Sequence, residues 1–111
     1  MPITEKFLGQ SKPADANAVS IYSPPAGFRV IVKTVNIVNT GASAINVRIF
    51  YDDAGTTYDG STALIWDREI LPGVPFIINV WWASDQVVAN FAVRTDTADD
   101  ATFTFFGVEL N

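Results

Sequence analysis

Asp67 and Glu69 stand two residues apart and are the pair with which this chain could do hydrolytic chemistry. Two carboxylates that flank a scissile bond can act as general acid and nucleophile, as in glycoside hydrolysis. The segment around them predicts a strand, with Leu64, Trp66 and Ile70 on one face and the two carboxylates on the other. Because carboxylates that alternate along a strand are far more often a solvated polar face, we interpret the pair as surface residues.

Other catalytic chemistry is restricted by two missing residue types, since the chain contains no histidine and no cysteine. Histidine is the usual general base at neutral pH and a member of the common catalytic triads. Nearly all zinc sites also draw on these two residues. We therefore expect a protein that is not an enzyme and has no catalytic residues, metal, cofactor or small-molecule substrate.

Two acidic clusters could offer oxygen ligands to a hard cation such as Ca²⁺, and each consists of three aspartates in one predicted loop. They are Asp52, Asp53 and Asp59 in the first loop, and Asp96, Asp99 and Asp100 in the second. Neither cluster follows a known calcium-loop spacing. We interpret both as solvated loop residues, with calcium binding as the alternative.

Five aromatic side chains could form a platform for a sugar, because aromatic faces stack on the C–H surfaces of sugar rings. They are Trp66, Trp81, Trp82, Tyr51 and Tyr58. No cluster of amide and acid side chains accompanies the adjacent tryptophans. A contact with protein is therefore the favoured interpretation of that pair, and a carbohydrate-binding module is the alternative.

Composition predicts one small globular domain without a nucleic-acid or membrane partner. Of the 111 residues, 49% are hydrophobic and 17% are charged, a composition that excludes disorder. The net charge of −5 and the lack of a Lys/Arg cluster argue against nucleic acid. No apolar stretch approaches the ~20 residues that cross a bilayer, and we expect no signal peptide at the N-terminus.

Period-two alternation of apolar residues is the main structural signal. It is clearest from Ile45 to Asp52, whereas a slip of the alternation near Lys33 and Thr34 predicts either a β-bulge or a strand that switches sheets. About seven or eight such runs are separated by turns at the spacing typical of a sandwich or barrel. The sequence predicts an all-β fold, namely an antiparallel β-sandwich of jelly-roll-like form without a helix longer than two turns.

The beginning of the chain differs from the rest because Pro2, Gly9 and Pro13 interrupt regular structure. We expect residues 1–18 to form an extended N-terminal arm and residues 19–111 to form the β-sandwich domain. The sizeable apolar side chains of the arm are the expected anchors on a neighbouring protein: Ile3, Phe7 and Leu8.

Adjacent apolar side chains within strands indicate a surface that binds protein. The pairs are Ile77-Ile78, Trp81-Trp82 and Phe105-Phe106. Neighbouring residues of a strand point to opposite faces, so these strands carry apolar side chains on both faces, and large exposed apolar patches mark contact surfaces. We expect one of the two tryptophans to enter the core and the other to meet a partner. The interface candidates in this strand are Ile77, Trp81 and Trp82.

Three segments resemble small β-sandwich virion proteins of tailed bacteriophages, in particular the decoration (cement) proteins that cap capsid surfaces. The segments are residues 22–39 (YSPPAGFRVIVKTVNIVN), 44–49 (AINVRI) and 103–108 (FTFFGV). The resemblance implies a jelly-roll-like sandwich without enzymatic activity that forms homotrimers and binds the major capsid protein on the capsid exterior. It also implies an N-terminal arm laid on capsid subunits. A carbohydrate-binding or host-recognition module of a phage tail is the alternative function.

Overall fold

The computed structural model describes residues 3–85 and 88–110 and consists of eight strands in two antiparallel sheets. The strands are β1 (Ile3–Ser11), β2 (Val19–Tyr22), β3 (Arg29–Asn39), β4 (Ile45–Asp52), β5 (Ala63–Ile70), β6 (Phe76–Ser84), β7 (Asn90–Thr95) and β8 (Ala101–Leu110). The predicted all-β antiparallel sandwich is confirmed. No helix in the described part of the chain is long and apolar enough to cross a membrane.

The strand order is that of a jelly roll. Sheet A has the order β1-β8-β3-β6 and sheet B the order β2-β7-β4-β5. First and last strands are neighbours, as are second and seventh, third and sixth, and fourth and fifth. This is the order produced when a long antiparallel hairpin is wound into two facing sheets. It leaves four edge strands: β1 and β6 in sheet A, and β2 and β5 in sheet B.

The core lies between the sheets and is built by the alternating residues of the central strands. Val32 and Val35 of β3 and Ile49 of β4 are fully buried, together with Phe91 of β7 and Phe105 of β8. The rings of Phe91 and Phe105 meet edge to face with centroids 6.0 Å apart. The alternation predicted for β4 is confirmed, because Ile45, Val47 and Ile49 all belong to the core.

The bulge predicted near Lys33 is also confirmed. Val32 lies opposite Gly107 of β8, and the next pair joins Thr34 to Phe106, so Lys33 is the extra residue in β3. In a regular strand, side chains three residues apart point to opposite faces. One extra, bulged residue between them brings both side chains onto the same face. For that reason Val32 and Val35 can both face the core although they are three residues apart.

The expected arm does not lie apart from the sandwich, because residues 3–11 form its edge strand β1. This strand pairs with β8 from Ile3 opposite Leu110 to Ser11 opposite Phe103, with a shift of register at Leu8. Gly9 does not break the strand. A Cβ there would collide with the main-chain oxygen of Ile21, so glycine allows β1 to approach β2.

The connection from β1 to β2 is also held by the chain itself. The main-chain oxygen of Pro13 accepts a hydrogen bond of 2.9 Å from the N–H of Asp99. Arg94 donates from Nε to the main-chain oxygen of Ala16 at 2.7 Å. The predicted boundary between residues 18 and 19 therefore falls inside the sandwich and does not separate an arm from a domain.

Strand β5 differs from its predicted pattern as well, because Leu64, Trp66 and Ile70 do not share a face. Ile70 is buried in the core, whereas Leu64 and Trp66 are exposed on the outer surface of sheet B. The register with β4 shifts within this stretch, and Asp67 adopts a positive φ of 53°. Such a left-handed residue in a bulge reverses the alternation of the side chains that follow it.

Candidate interaction surface

Strand β6 presents exposed side chains on one face and half-buried side chains on the other, because its residues alternate without interruption. Exposed and half-buried residues follow one another from Phe76 to Ala83. Trp82 points inward, and its ring lies 6.3 Å from the rings of both Phe91 and Phe105. Trp81 points outward and keeps 68% of its surface exposed. One tryptophan therefore packs against the core and the other remains outside, and the expected contact of Trp81 with a partner stays a prediction.

The outward side chains of β6 form one half of an apolar surface on sheet A. Ile77 is 64% exposed and lies four residues from Trp81 on the same face, about 13 Å along the strand. The ammonium group of Lys33 stands 5.4 Å from the centre of the Trp81 ring, on the side toward β3. A cation at this distance is attracted by the face of the indole, so it orients the ring without covering it.

Two phenylalanines form the other half of this surface. Phe7 of β1 lies opposite Phe106 of β8, and the rings meet edge to face at 6.3 Å. They are 52% and 42% exposed. Phe106 lies opposite Thr34, and Thr34 lies opposite Asn79 of β6, so the phenylalanines are on the same face of the sheet as Trp81. We call the four side chains of Phe7, Ile77, Trp81 and Phe106 the outer apolar face.

A shallow groove crosses the middle of the outer apolar face. Its volume is about 410 Å³, and Phe7 and Phe106 line it together with Lys33, Thr34 and Glu5. The two apolar halves therefore flank a polar strip that carries the carboxylate of Glu5 and two cations, Lys6 and Lys33. Such a surface offers apolar contacts together with charges that can fix the orientation of a partner.

Strand β6 also differs from the other edge strands in its lack of protection. Its sequence, FIINVWWAS, contains no charged residue and no proline. By contrast β1 carries Glu5, Lys6 and a bulge, β2 has only 4 residues, and β5 carries Asp67 and Arg68 beside its own bulge. Charges, bulges and short length are the usual means of preventing edge-to-edge pairing. Strand β6 has the register irregularity opposite Lys33 and, at its first residue, the guanidinium of Arg68 4.5 Å from the centre of the Phe76 ring.

The remaining interface candidates occupy different environments. Leu8 is buried in the core, so it cannot serve as an exposed anchor. Ile3 begins β1, and its side chain lies outside the described residues. The structure therefore brings together Phe7, Ile77 and Trp81, and it directs Leu8 and Trp82 inward. The sequence analysis did not predict that Lys33 lies beside Trp81. The position of Lys33 in a predicted bulge was the feature of the sequence that could have indicated an unusual orientation of its side chain.

The possible catalytic carboxylates lie on the outer surface of sheet B. Asp67 forms a bidentate ion pair with Arg48, with distances of 2.6 and 3.1 Å. The hydrogen bonds from Arg48 lower the pKa of the Asp67 carboxyl, whereas a general acid needs a raised pKa. Glu69 lies opposite Asn46 of β4 and is exposed. The geometry supports an ion pair at Asp67 rather than an acid and nucleophile.

Trp66 is the aromatic residue nearest to these charges. The guanidinium of Arg48 lies 3.6 Å from the centre of its ring, and the indole is 49% exposed. The ring also covers Phe50, which faces away from the core yet is fully buried between Trp66 and Tyr58. A groove of about 500 Å³ begins at Trp66 and passes Glu69 between the edges of β5 and β6.

The aspartates of the first acidic loop serve the loop itself. The N–H groups of Thr57 and Thr56 donate to the Asp52 carboxylate at 2.7 and 2.8 Å, which lowers its pKa. Asp59 accepts hydrogen bonds from the hydroxyl and N–H groups of Ser61. In the part of the chain that the structure describes, no three acidic side chains gather as a metal site.

A charged cluster ties the two sheets together at one end of the sandwich. The Glu109 carboxylate accepts a hydrogen bond from the Tyr22 hydroxyl and one of 3.0 Å from the Lys6 ammonium. The hydrogen bond from Tyr22 is the main cause of a lowered Glu109 pKa, whereas burial raises the pKa of Tyr22. These three residues belong to β8, β2 and β1, so the cluster holds the N-terminal strand in place.

Comparisons with known proteins find distant similarity to solved structures. No protein-family model matches the chain, and no curated protein is similar to it in sequence. A pentameric capsid protein isolated from metagenomic phage sequences is 15% identical with a TM-score of 0.41, covering 96% of this chain and 59% of that chain. A structure of infectious bursal disease virus Gx strain is 8% identical with a TM-score of 0.48, covering 97% and 30%.

A third similar structure is the xylanase 10B CBM22-1–GH10 modules of Clostridium thermocellum, complexed with xylohexaose. It is 9% identical with a TM-score of 0.47, and the match covers 96% of this chain and 24% of that chain. In all three cases the chain spans less than two thirds of the protein that it resembles.

Proposed function

We propose that this chain is a non-enzymatic structural protein of a virion, a decoration (cement) protein that binds the capsid exterior as a homo-oligomer. The observation that carries the proposal is the outer apolar face, with Trp81 and Ile77 exposed on an uncharged strand. A monomer that binds nothing rarely displays such a patch. The jelly-roll fold and the resemblance to phage decoration proteins agree with this role.

Trp81 is the anchor that we expect to contribute most to assembly. Tryptophans that become buried at an interface commonly cost ~2 kcal/mol or more when truncated to alanine. Trp81 exposes 68% of its surface, so about two thirds of the residue is available to a partner. Phe7 and Ile77 extend the contact on the same face of sheet A. The oligomer size that we propose is three, as the resemblance implies, and the proposed capsid partner is the major capsid protein.

The proposal is tested by the mass of the chain in solution and by its binding to capsids that lack it. We expect Trp81→Ala to remain folded, to lose self-association and to bind capsids weakly. Trp66→Ala is the matched control, since it removes a half-exposed tryptophan from the opposite sheet. If Trp81→Ala assembles and binds particles as the unaltered chain does, the outer apolar face is not the interface. If the unaltered chain is monomeric in solution and does not bind capsids, the whole proposal is refuted.

A carbohydrate-binding role is the second candidate, and we propose Trp66 as its site rather than the adjacent tryptophans. The indole lies at the mouth of the groove between β5 and β6, where Asp67, Arg68 and Glu69 supply polar groups. Arg48 already covers one face of the ring, so a sugar would have only the other face for stacking. Titration with a panel of soluble oligosaccharides, followed by tryptophan fluorescence in the unaltered chain and in Trp66→Ala, tests this role.

A further inference from the structure

Strand β6 has a main-chain edge that is open to another strand. Among the described residues, β3 is its only pairing partner. A strand with one neighbour directs half of its N–H and C=O groups away from the sheet, ready to pair with a further strand. Since β6 carries neither charge nor proline over 9 residues, nothing in its sequence opposes such pairing.

The sequence of β6 is complementary to itself when two copies run antiparallel. A two-fold axis at Val80 is the one position that pairs all nine residues of the strand. The two residues of each pair lie on the same face of the sheet, because both are the same number of residues away from Val80. The resulting pairs are Phe76 with Ser84, Ile77 with Ala83, Ile78 with Trp82, Asn79 with Trp81, and Val80 with itself.

These pairs also match in size and polarity. On the outer surface the bulky side chains of Trp81 and Ile77 meet the smaller Asn79 and Ala83. Moving the axis by one residue to Asn79 would instead oppose Ile77 to Trp81 and leave Ala83 and Ser84, at the C-terminal end of each copy, unpaired. With no charge in the strand, no like charges face each other across the axis, which would be destabilising in a sheet.

We infer that β6 is a homotypic pairing edge, where a second copy of this chain adds its own β6 antiparallel about Val80 and joins the two A sheets into one. The inference rests on the self-association proposed above but concerns a separate contact, made by the main-chain edge of β6. A two-fold contact cannot close a trimer. It therefore connects copies of neighbouring trimers.

Single cysteines test this register directly, because the natural chain has none. Directly opposed residues of an antiparallel pair have Cα atoms about 4.5–5.5 Å apart, within the range of a disulfide. Under mild oxidation V80C should therefore convert largely to a disulfide-linked dimer. A83C is the matched control: Ala83 is exposed and does not belong to the outer apolar face, yet its own copy would lie about 20 Å away, six residues along the strand.

The double variant I77C/A83C repeats the test without altering an inward residue. It should cross-link between position 77 of one copy and position 83 of the other, whereas A83C alone should not. Retention of the circular dichroism spectrum and thermal transition shows that each reduced variant is folded. Folded V80C and I77C/A83C that stay uncross-linked, or A83C that cross-links as readily as V80C, would overturn the inference. Because these experiments use the free chain, loss of capsid binding leaves their result unchanged and bears only on the proposed function.

Discussion

Leu8→Ala tests whether β1 is part of the sandwich. Leu8 is 9% exposed and belongs to the core cluster. Truncation of a buried leucine costs about 2–5 kcal/mol, because apolar contacts are lost and a cavity remains. Leu8 lies in an edge strand that can relax toward it, so we expect the lower part of that range, about 2–3 kcal/mol. For a chain of 111 residues this corresponds to a Tm lower by roughly 10 °C.

The assay is urea and thermal unfolding followed by circular dichroism, at a protein concentration low enough to keep the chain monomeric. Dilution matters because self-association adds to apparent stability. Phe7→Ala is the control, since it alters the neighbouring residue of the same strand on the outer face. About half of the Phe7 side chain is already exposed, so we expect a loss of only about 1 kcal/mol.

The two results together decide between a strand and a loosely attached arm. If residues 3–11 lay outside the sandwich, neither substitution would change unfolding of the isolated chain. A Leu8→Ala variant whose Tm stays within about 2 °C of the unaltered chain would refute the strand placement. Equal losses for Leu8→Ala and Phe7→Ala would show that the two side chains do not point to opposite faces.

Three further substitutions have expected outcomes. Trp82→Ala should lower the free energy of unfolding by about 3 kcal/mol or more in chemical denaturation, because it removes an inward aromatic side chain; a loss below about 1 kcal/mol would contradict the inward orientation. Gly107→Ala should cost about 2 kcal/mol in the same measurement, since its Cβ would collide with the main-chain oxygen of Ile31; unchanged stability would contradict that close approach. Glu109 has a lowered pKa in the folded chain, mainly through the Tyr22 hydrogen bond, so its stabilisation is present above the unfolded-state pKa and disappears as pH falls through the folded pKa. Unfolding measured between pH 7 and pH 3 should therefore depend less on pH in Glu109→Gln, and identical pH profiles would exclude this linkage.

Local patterns predicted those elements whose side chains follow a simple alternation. The alternation in β4 correctly assigned Ile45, Val47 and Ile49 to the core, and the slip at Lys33 correctly located the bulge in β3. The adjacent tryptophans correctly implied that one side chain would remain outside. In each case the information lies within a few residues, because the period of a strand is a property of its own backbone.

The sequence analysis did not predict strand β1, because the strand that it pairs with is distant in sequence. Its pairing joins Ile3 to Leu110, at opposite ends of the chain, and the proline and glycine signals around it describe only local backbone preferences. The alternation of β5 failed for a related reason. Asp67 takes a left-handed conformation and pairs with Arg48 of β4, a contact that the sequence of β5 alone does not contain.

The sequence by itself determined the class of this protein: an all-β chain without histidine or cysteine, with more apolar side chains than one core can take. Only the tertiary structure decided which of those side chains remain outside. Phe7 and Trp81 share a surface because β1, β8, β3 and β6 lie side by side in sheet A. That order arises from long-range pairing and core packing, which depend on the whole chain and cannot be read from any one segment.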